Sequence, residues 1–149
     1  MSENIDVVYY ICSEDIDDII SNNRVEIINV VYDTYKKYYS GNANNLGTFS
    51  LKFENKPNAR INALPASIIS DGLAGMKWVS SFPDNVKNNK QRASALITLN
   101  SLETGYPKLI IDGTRISSAR TAASAVLSAK LLNNEKNSLK ALFWRWCFK

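Results

Sequence analysis

The chain contains no histidine. That absence excludes a complete Ser-His-Asp triad, a Cys-His pair and a histidine zinc site built from this polypeptide. Acid–base work therefore falls to Asp, Glu, Lys or Tyr, or to groups from outside it. Cysteine is almost as scarce. Cys12 and Cys147 stand at opposite ends, which gives neither a metal knuckle nor a disulfide framework, so no metal ligand set is assigned. Long apolar runs are missing too: no stretch approaches the roughly 18 residues that a membrane span needs. The first six residues lack the basic segment and apolar stretch of a secretory leader, so no membrane association and a cytoplasmic location are expected. Concentrated positive charge is also lacking. The net charge of +4 is dispersed, and Lys36-Lys37 is the only adjacent basic pair. Nucleic-acid surfaces gather their lysines and arginines on one face or stripe, so no nucleic-acid partner is expected. Finally, Gly113 is the last glycine, and no glycine-rich dinucleotide loop follows it.

What is present fits an ordinary globular domain. A length of 149 residues, 45% hydrophobic and 21% charged, is enough to bury one core. Residues 5–11, rich in Val, Ile and Tyr, read as a strand. Ser13 is expected to cap a short acidic helix running to Ile20, with Glu14 and Asp15 placed against the positive end of its dipole. Asn23 followed by Glu26 suggests a capping box. Beyond it Ile27, Ile28, Val31, Tyr35 and Tyr38 recur at helical spacing up to Gly41, which predicts a helix packing one side on a sheet. Residues 42–45 read as a polar loop. Strands are then expected at 48–53, 60–66, 74–81, 93–100 and 108–112. A hairpin-like turn at Thr104-Gly105-Tyr106-Pro107 and a polar loop at 84–90 connect two pairs of them. A helix over 116–132, lined with Ala119, Ala122, Ala123, Ala125 and Ala129, closes the pattern. The fold class is α+β: flanking helices on a mostly antiparallel sheet.

Three cations stand in apolar surroundings. Lys77 lies between Met76 and Trp78, Arg60 opens the run Arg-Ile-Asn-Ala-Leu-Pro-Ala, and Arg120 sits on the alanine-rich helix. A cation drawn out of water needs an anion. That anion is either an internal carboxylate or the carboxylate of a ligand, which the planar fork of arginine grips bidentately.

Five segments, in order, carry a resemblance. They are Pro-Asn-Ala-Arg-Ile-Asn-Ala-Leu-Pro-Ala at 57–66, Gly-Met-Lys-Trp-Val-Ser-Ser-Phe-Pro-Asp-Asn at 75–85, Arg-Ala-Ser-Ala at 92–95, Thr-Gly-Tyr-Pro at 104–107 and Ser-Ser-Ala-Arg-Thr-Ala-Ala-Ser-Ala at 117–125. Together they resemble the ornithine cyclodeaminase/mu-crystallin superfamily. The wording at 77–85 most resembles its N-(2-amino-2-carboxyethyl)-L-glutamate dehydrogenases, which supply 2,3-diaminopropionate for siderophores and related peptides. The resemblance implies that Arg60, Lys77 and Arg120 converge on the carboxylate of an amino-acid substrate. It further implies that Arg120 and Thr121 approach the nicotinamide end of NAD. Ser94 falls where ornithine cyclodeaminases carry a cofactor-contacting threonine, and the sequence departs from their pattern there. A homodimer formed through a shared sheet assembly is implied as well.

The implied chemistry is hydride transfer to NAD from the substrate carbon that bears nitrogen, followed by attack on the imine. Water as nucleophile releases 2-oxoglutarate and 2,3-diaminopropionate. In the cyclodeaminase branch the substrate's own side-chain amine attacks, ammonia leaves, and the returned hydride gives proline. The family's proton-transfer aspartate belongs to its second half and has no counterpart here, so no catalytic residue is assigned within this chain.

Residues 1–132 are thus expected to form the substrate-binding and dimerisation domain, with the Rossmann domain missing. Residues 133–149 fit that family poorly. Read one base later, each TGG codon of Trp144 and Trp146 becomes glycine, so Trp144-Arg145-Trp146-Cys147 turns into Gly-x-Gly followed by Ala or Val, where a dinucleotide loop belongs. The expectation is an aberrant tail, a frameshifted start of the NAD-binding domain, on a fragment inactive alone. Two other readings stay open: an ornithine cyclodeaminase fragment, and a non-catalytic dimerisation or interaction module with a natural aromatic C-terminus.

Overall fold

The computed structural model describes residues 7–133. Three helices and seven strands follow in the order β1 (Tyr9–Ile11), α1 (Ser13–Asn22), α2 (Arg24–Tyr39), β2 (Ala43–Asn45), β3 (Phe49–Phe53), β4 (Lys56–Ile68), β5 (Leu73–Ser81), β6 (Ala93–Ser101), β7 (Pro107–Asp112) and α3 (Thr114–Leu132). Short 3-10 helices occupy Ile69–Asp71 and Pro83–Asn88. The strands form one sheet in the order β1-β7-β6-β5-β4-β2, with β3 also on β4. Every pairing is antiparallel except that of β1 with β7. The expected α+β class and mostly antiparallel sheet are therefore present, and the five expected strands lie within a few residues of β3 to β7.

Four local expectations need correction. Cys12, not Ser13, precedes the first turn of α1, and Ser13 is already helical. The Asn23–Glu26 capping box does not form. Helices α1 and α2 are separated by a single residue, so the Asn23 amide donates backward to the Ile19 carbonyl at 2.8 Å, serving the end of α1 instead. Residues Ala43–Asn45 are not loop but the short strand β2, recruited by β4, whose 13 residues outrun β3 and leave Ala66–Ile68 to be paired. Pro65 is tolerated in this long strand because it falls in the gap between the two partners: Ala63 pairs with β3 and Ala66 with β2. Lastly, α2 packs mainly on α3 and meets the sheet chiefly at β2. Its Tyr35 hydroxyl donates to Ser124 Oγ on α3 at 3.3 Å. The expected tail lies beyond the described residues, apart from Asn133.

Register separates the two faces of the sheet. Lys77 pairs with Leu64 and Ile97, and Ile97 pairs with Ile111, so these side chains share a face. Helix α3 covers part of it. A Cβ on Gly113, at the start of α3, would lie 2.9 Å from Ile97 Cγ1 and 3.2 Å from Ala95 Cβ, so glycine is what lets the helix come down onto β6. Ala95 and Ile111 are buried beneath it, and Ile16, Ala123 and Leu127 complete the core among the helices. On the opposite face, Phe49, Ala63, Trp78 and Leu96 form one cross-strand row. No described element covers that row: Trp78 remains 38% and Leu96 45% exposed.

Candidate functional site

Lys77 projects from the middle of β5 toward α3, where its ammonium donates to Ser117 Oγ at 3.2 Å. Burial pushes its pKa below the ordinary 10.5, and the neighbouring positive charge of Arg120 pushes the same way. Ser117 and Arg120 are three residues apart on α3 and so lie on one side of that helix. Among the described residues no carboxylate pairs with Lys77 or Arg120; the four ion pairs present involve other groups. Two cations thus face the same space without an anion between them. The placement of Lys77 depends on a close approach by its own strand. A Cβ on Gly75 would fall on the Thr98 carbonyl oxygen and 2.8 Å from Leu99 Cδ2, so β5 and β6 meet here only because residue 75 is glycine. Beside Lys77 an apolar hollow of about 230 Å³ is lined by Leu64, Ile68, Leu73, Ile97 and Leu99, among others.

The other expected residues divide. Arg60 shares the face of Lys77, since it pairs with Ser81, four residues along β5. It is exposed and stands about 13 Å along β4 from Leu64, the cross-strand partner of Lys77. There it lines a separate cleft of about 490 Å³ together with Lys52, Pro57, Pro83 and Arg92. The structure therefore brings Lys77 and Arg120 together and sets Arg60 further along the same face. Thr121 is exposed on α3, but its hydroxyl donates to the Ser117 carbonyl at 2.8 Å, leaving only its lone pairs for an outside donor. Ser94 lies on the opposite face from Lys77, with its Oγ 2.8 Å from Ser80 Oγ. It joins the Trp78 side of the sheet, away from the three cations.

Sequence reasoning passed over Ser117, Lys52 and Arg92 as site residues. The signal for Ser117 was its i, i+3 spacing to Arg120. For Lys52 and Arg92 no local signal existed, because only register and loop closure bring them to one cleft. A further apolar hollow lies between α2 and α3, where Tyr32, Tyr35, Tyr39, Leu127 and Leu131 meet. Among the described residues no three His, Cys, Asp or Glu side chains gather as a metal would require, and no helix is long and apolar enough to cross a membrane. Gly113, next to the start of α3, is closed off by Ile97 and Ala95.

The chain matches the model of the ornithine cyclodeaminase/mu-crystallin family over residues 13–143. It belongs to that family. The match continues past the end of α3 and past the boundary expected at 132. Among curated relatives, the chain is 34% identical over 126 residues to an alanine dehydrogenase of Archaeoglobus fulgidus, covering 85% of this chain and 37% of the relative. It is 45% identical over 75 residues to the N-((2S)-2-amino-2-carboxyethyl)-L-glutamate dehydrogenase of Staphylococcus aureus, covering 49% of this chain and 22% of the relative. A solved archaeal alanine dehydrogenase dimer with bound NAD superposes with a TM-score of 0.75 at 32% identity, over 83% of this chain and 36% of that one. The chain thus spans well under half the length of these family members, and the described fold corresponds to their N-terminal part.

Proposed function

We propose that this chain is the substrate-binding part of an NAD-dependent amino-acid dehydrogenase whose substrate is N-(2-amino-2-carboxyethyl)-L-glutamate, cleaved oxidatively to 2-oxoglutarate and 2,3-diaminopropionate. The carrying observation is the pair Lys77 and Arg120, two neighbouring cations with no carboxylate partner among the described residues. A substrate carboxylate supplies the missing anion. Held by both, it keeps the adjacent carbon and its hydrogen in one orientation, a positioning effect. Ser117 keeps the Lys77 ammonium aimed at that point, and Arg60 extends positive charge along the same face. Bound NAD would accept the hydride; Arg120 and Thr121 are the residues of this chain assigned to its nicotinamide end, Ser94 being set apart by the sheet. The similarity at 45% identity to the Staphylococcus aureus enzyme supports this substrate over ornithine, the substrate of the cyclodeaminase branch.

The open row Phe49, Trp78 and Leu96 is assigned to contact with a second copy, in keeping with the dimer described for the archaeal relative. A second reading, a non-catalytic dimerisation module, rests on that same row. Calorimetric titration of the 149-residue chain with N-(2-amino-2-carboxyethyl)-L-glutamate, L-alanine and L-ornithine separates these. The proposal expects the conjugate to bind tightest and Lys77→Met to weaken it at least about tenfold, the loss of one charge-assisted contact. Heat from none of the three, with the chain still a dimer, favours the module.

A further inference from the structure

Helix α3 carries Ser117 and Arg120, and its first turn is anchored at two places. The Ala95 N–H donates to Thr114 Oγ1 at 3.1 Å, and Arg115 Nε lies 3.2 Å from Asp17 Oδ1 on α1. Arg120 lies beyond these anchors. It is exposed, it has the ammonium of Lys77 as a like-charged neighbour, and no described carboxylate pairs with either. Like charges push apart, so the turn that bears Arg120 needs a restraint on its far side. The restraint found there comes from α2. The Tyr35 hydroxyl donates to Ser124 Oγ at 3.3 Å, and the Ser124 hydroxyl donates in turn to the Arg120 carbonyl at 2.9 Å. A serine hydroxyl can accept and donate at once, so the two bonds form a chain from α2 to the backbone of Arg120. A serine hydroxyl bonded to the carbonyl four residues back bends a helix. A small bend is magnified at the end of a long arginine side chain. Packing does not explain why residue 35 is tyrosine, since phenylalanine would fill the same space. The ring is 46% exposed and borders an open hollow of about 650 Å³ between the two helices. The hydroxyl is what reaches across to Ser124.

We propose that Tyr35 and Ser124 are positioning residues: the chain from the Tyr35 hydroxyl through Ser124 to the Arg120 carbonyl holds Arg120 facing Lys77 while no anion is bound. The inference rests on the proposed function for one point, that Lys77 and Arg120 together hold the substrate carboxylate. It goes beyond that reading by giving a task to two residues outside the grip, one of them on a different helix. Two cations set in place before the ligand arrives lower the ordering cost of binding. Loss of either hydroxyl leaves α3 docked, because Ala123 and Leu127 remain buried, and it frees Arg120 to turn away from Lys77. The consequence is weaker binding on an intact fold.

The test joins calorimetric titration with N-(2-amino-2-carboxyethyl)-L-glutamate to the ε-carbon NMR titration of Lys77, both on the 149-residue chain, with denaturant unfolding as a check on the fold. The variants are Tyr35→Phe, Ser124→Ala, Ser124→Thr and the double Tyr35→Phe/Ser124→Ala; Tyr35→Phe is also made with Arg120→Met. The proposal expects Tyr35→Phe and Ser124→Ala each to weaken the conjugate about fivefold, the value of one hydrogen bond. Ser124→Thr keeps a hydroxyl and should keep the affinity. The double variant should bind no more weakly than Ser124→Ala, because both changes break one chain. Burial and the charge of Arg120 both lower the Lys77 midpoint, and Tyr35→Phe relieves the second, so in the free chain that midpoint should rise toward 10.5. A loss of stability alone leaves it where it was. An unmoved Lys77 midpoint in Tyr35→Phe overturns the proposal. So do additive losses in the double variant, and so does a Tyr35→Phe shift of equal size in the Arg120→Met background. If the unmodified chain binds no conjugate while Tyr35→Phe raises the midpoint only with Arg120 present, the positioning chain stands and the carboxylate reading fails. If Lys77→Met and Arg120→Met abolish conjugate binding while Tyr35→Phe moves nothing, the proposed function stands and the positioning chain fails.

Discussion

Lys77 is a half-buried cation whose environment works against its charge. Because its pKa is lowered in the folded state, the folded chain binds fewer protons than the unfolded one between that lowered value and 10.5. Stability therefore rises with pH across that window, and below it the buried charge is a constant penalty. A ligand carboxylate reverses the sign by stabilising the ammonium. Affinity for the conjugate should accordingly be full near neutrality and fall as pH climbs through the lowered pKa, with proton uptake on binding inside the window. Titrations at several alkaline pH values in buffers of different ionisation enthalpy check both effects; an affinity flat up to 10.5 would contradict them. At this scale the sequence was informative about Lys77 and Arg120, because a cation embedded in apolar text needs an anion. It said nothing of Lys52 lying opposite Arg60, a property of register rather than of neighbours in sequence.

Strand β5 is held at its working distance from β6 by Gly75. Alanine there would drive its methyl into the Thr98 carbonyl and Leu99, and overpacking of this kind costs about 1–3 kcal/mol. Since Lys77 is two residues away on the same face, Gly75→Ala should both lower the unfolding midpoint and weaken conjugate binding. Denaturant unfolding and calorimetry on one sample measure the two together, and lowered stability with unchanged affinity would separate the strand contact from the site. The strands were legible in the sequence because alternating Val, Ile and aromatic runs between turn residues report on a pleated surface. Element partners were less so. The tyrosines of α2 recur with helical period, and that period shows a face without showing what it meets, which is α3 more than the sheet. Short β2 was hidden because its Ala-Asn-Asn has no strand propensity of its own; the overhang of β4 recruits it.

The described residues bury little of their large apolar surface. Their buried core is Ile16, Ala59, Ala95, Ile111, Ala123 and Leu127, and no large side chain among them is fully enclosed. Meanwhile Phe49, Trp78 and Leu96 lie open in one row. Continuous apolar rows of this kind mark contact surfaces. Trp78→Glu should therefore shift the proposed dimer toward monomer in sedimentation velocity while leaving the Lys77 face in place, because residue 78 points to the other side of the sheet. A sedimentation coefficient indifferent to Trp78→Glu would remove this row from the interface.

In the proposed function Lys77 and Arg120 await a carboxylate. The most direct measurement is the ε-carbon NMR titration of Lys77, assigned by comparison with Lys77→Arg, in the free 149-residue chain and with saturating N-(2-amino-2-carboxyethyl)-L-glutamate. The midpoint should lie below 10.5 in the free chain and move upward when the conjugate is added. A midpoint that does not move on adding the conjugate would contradict it.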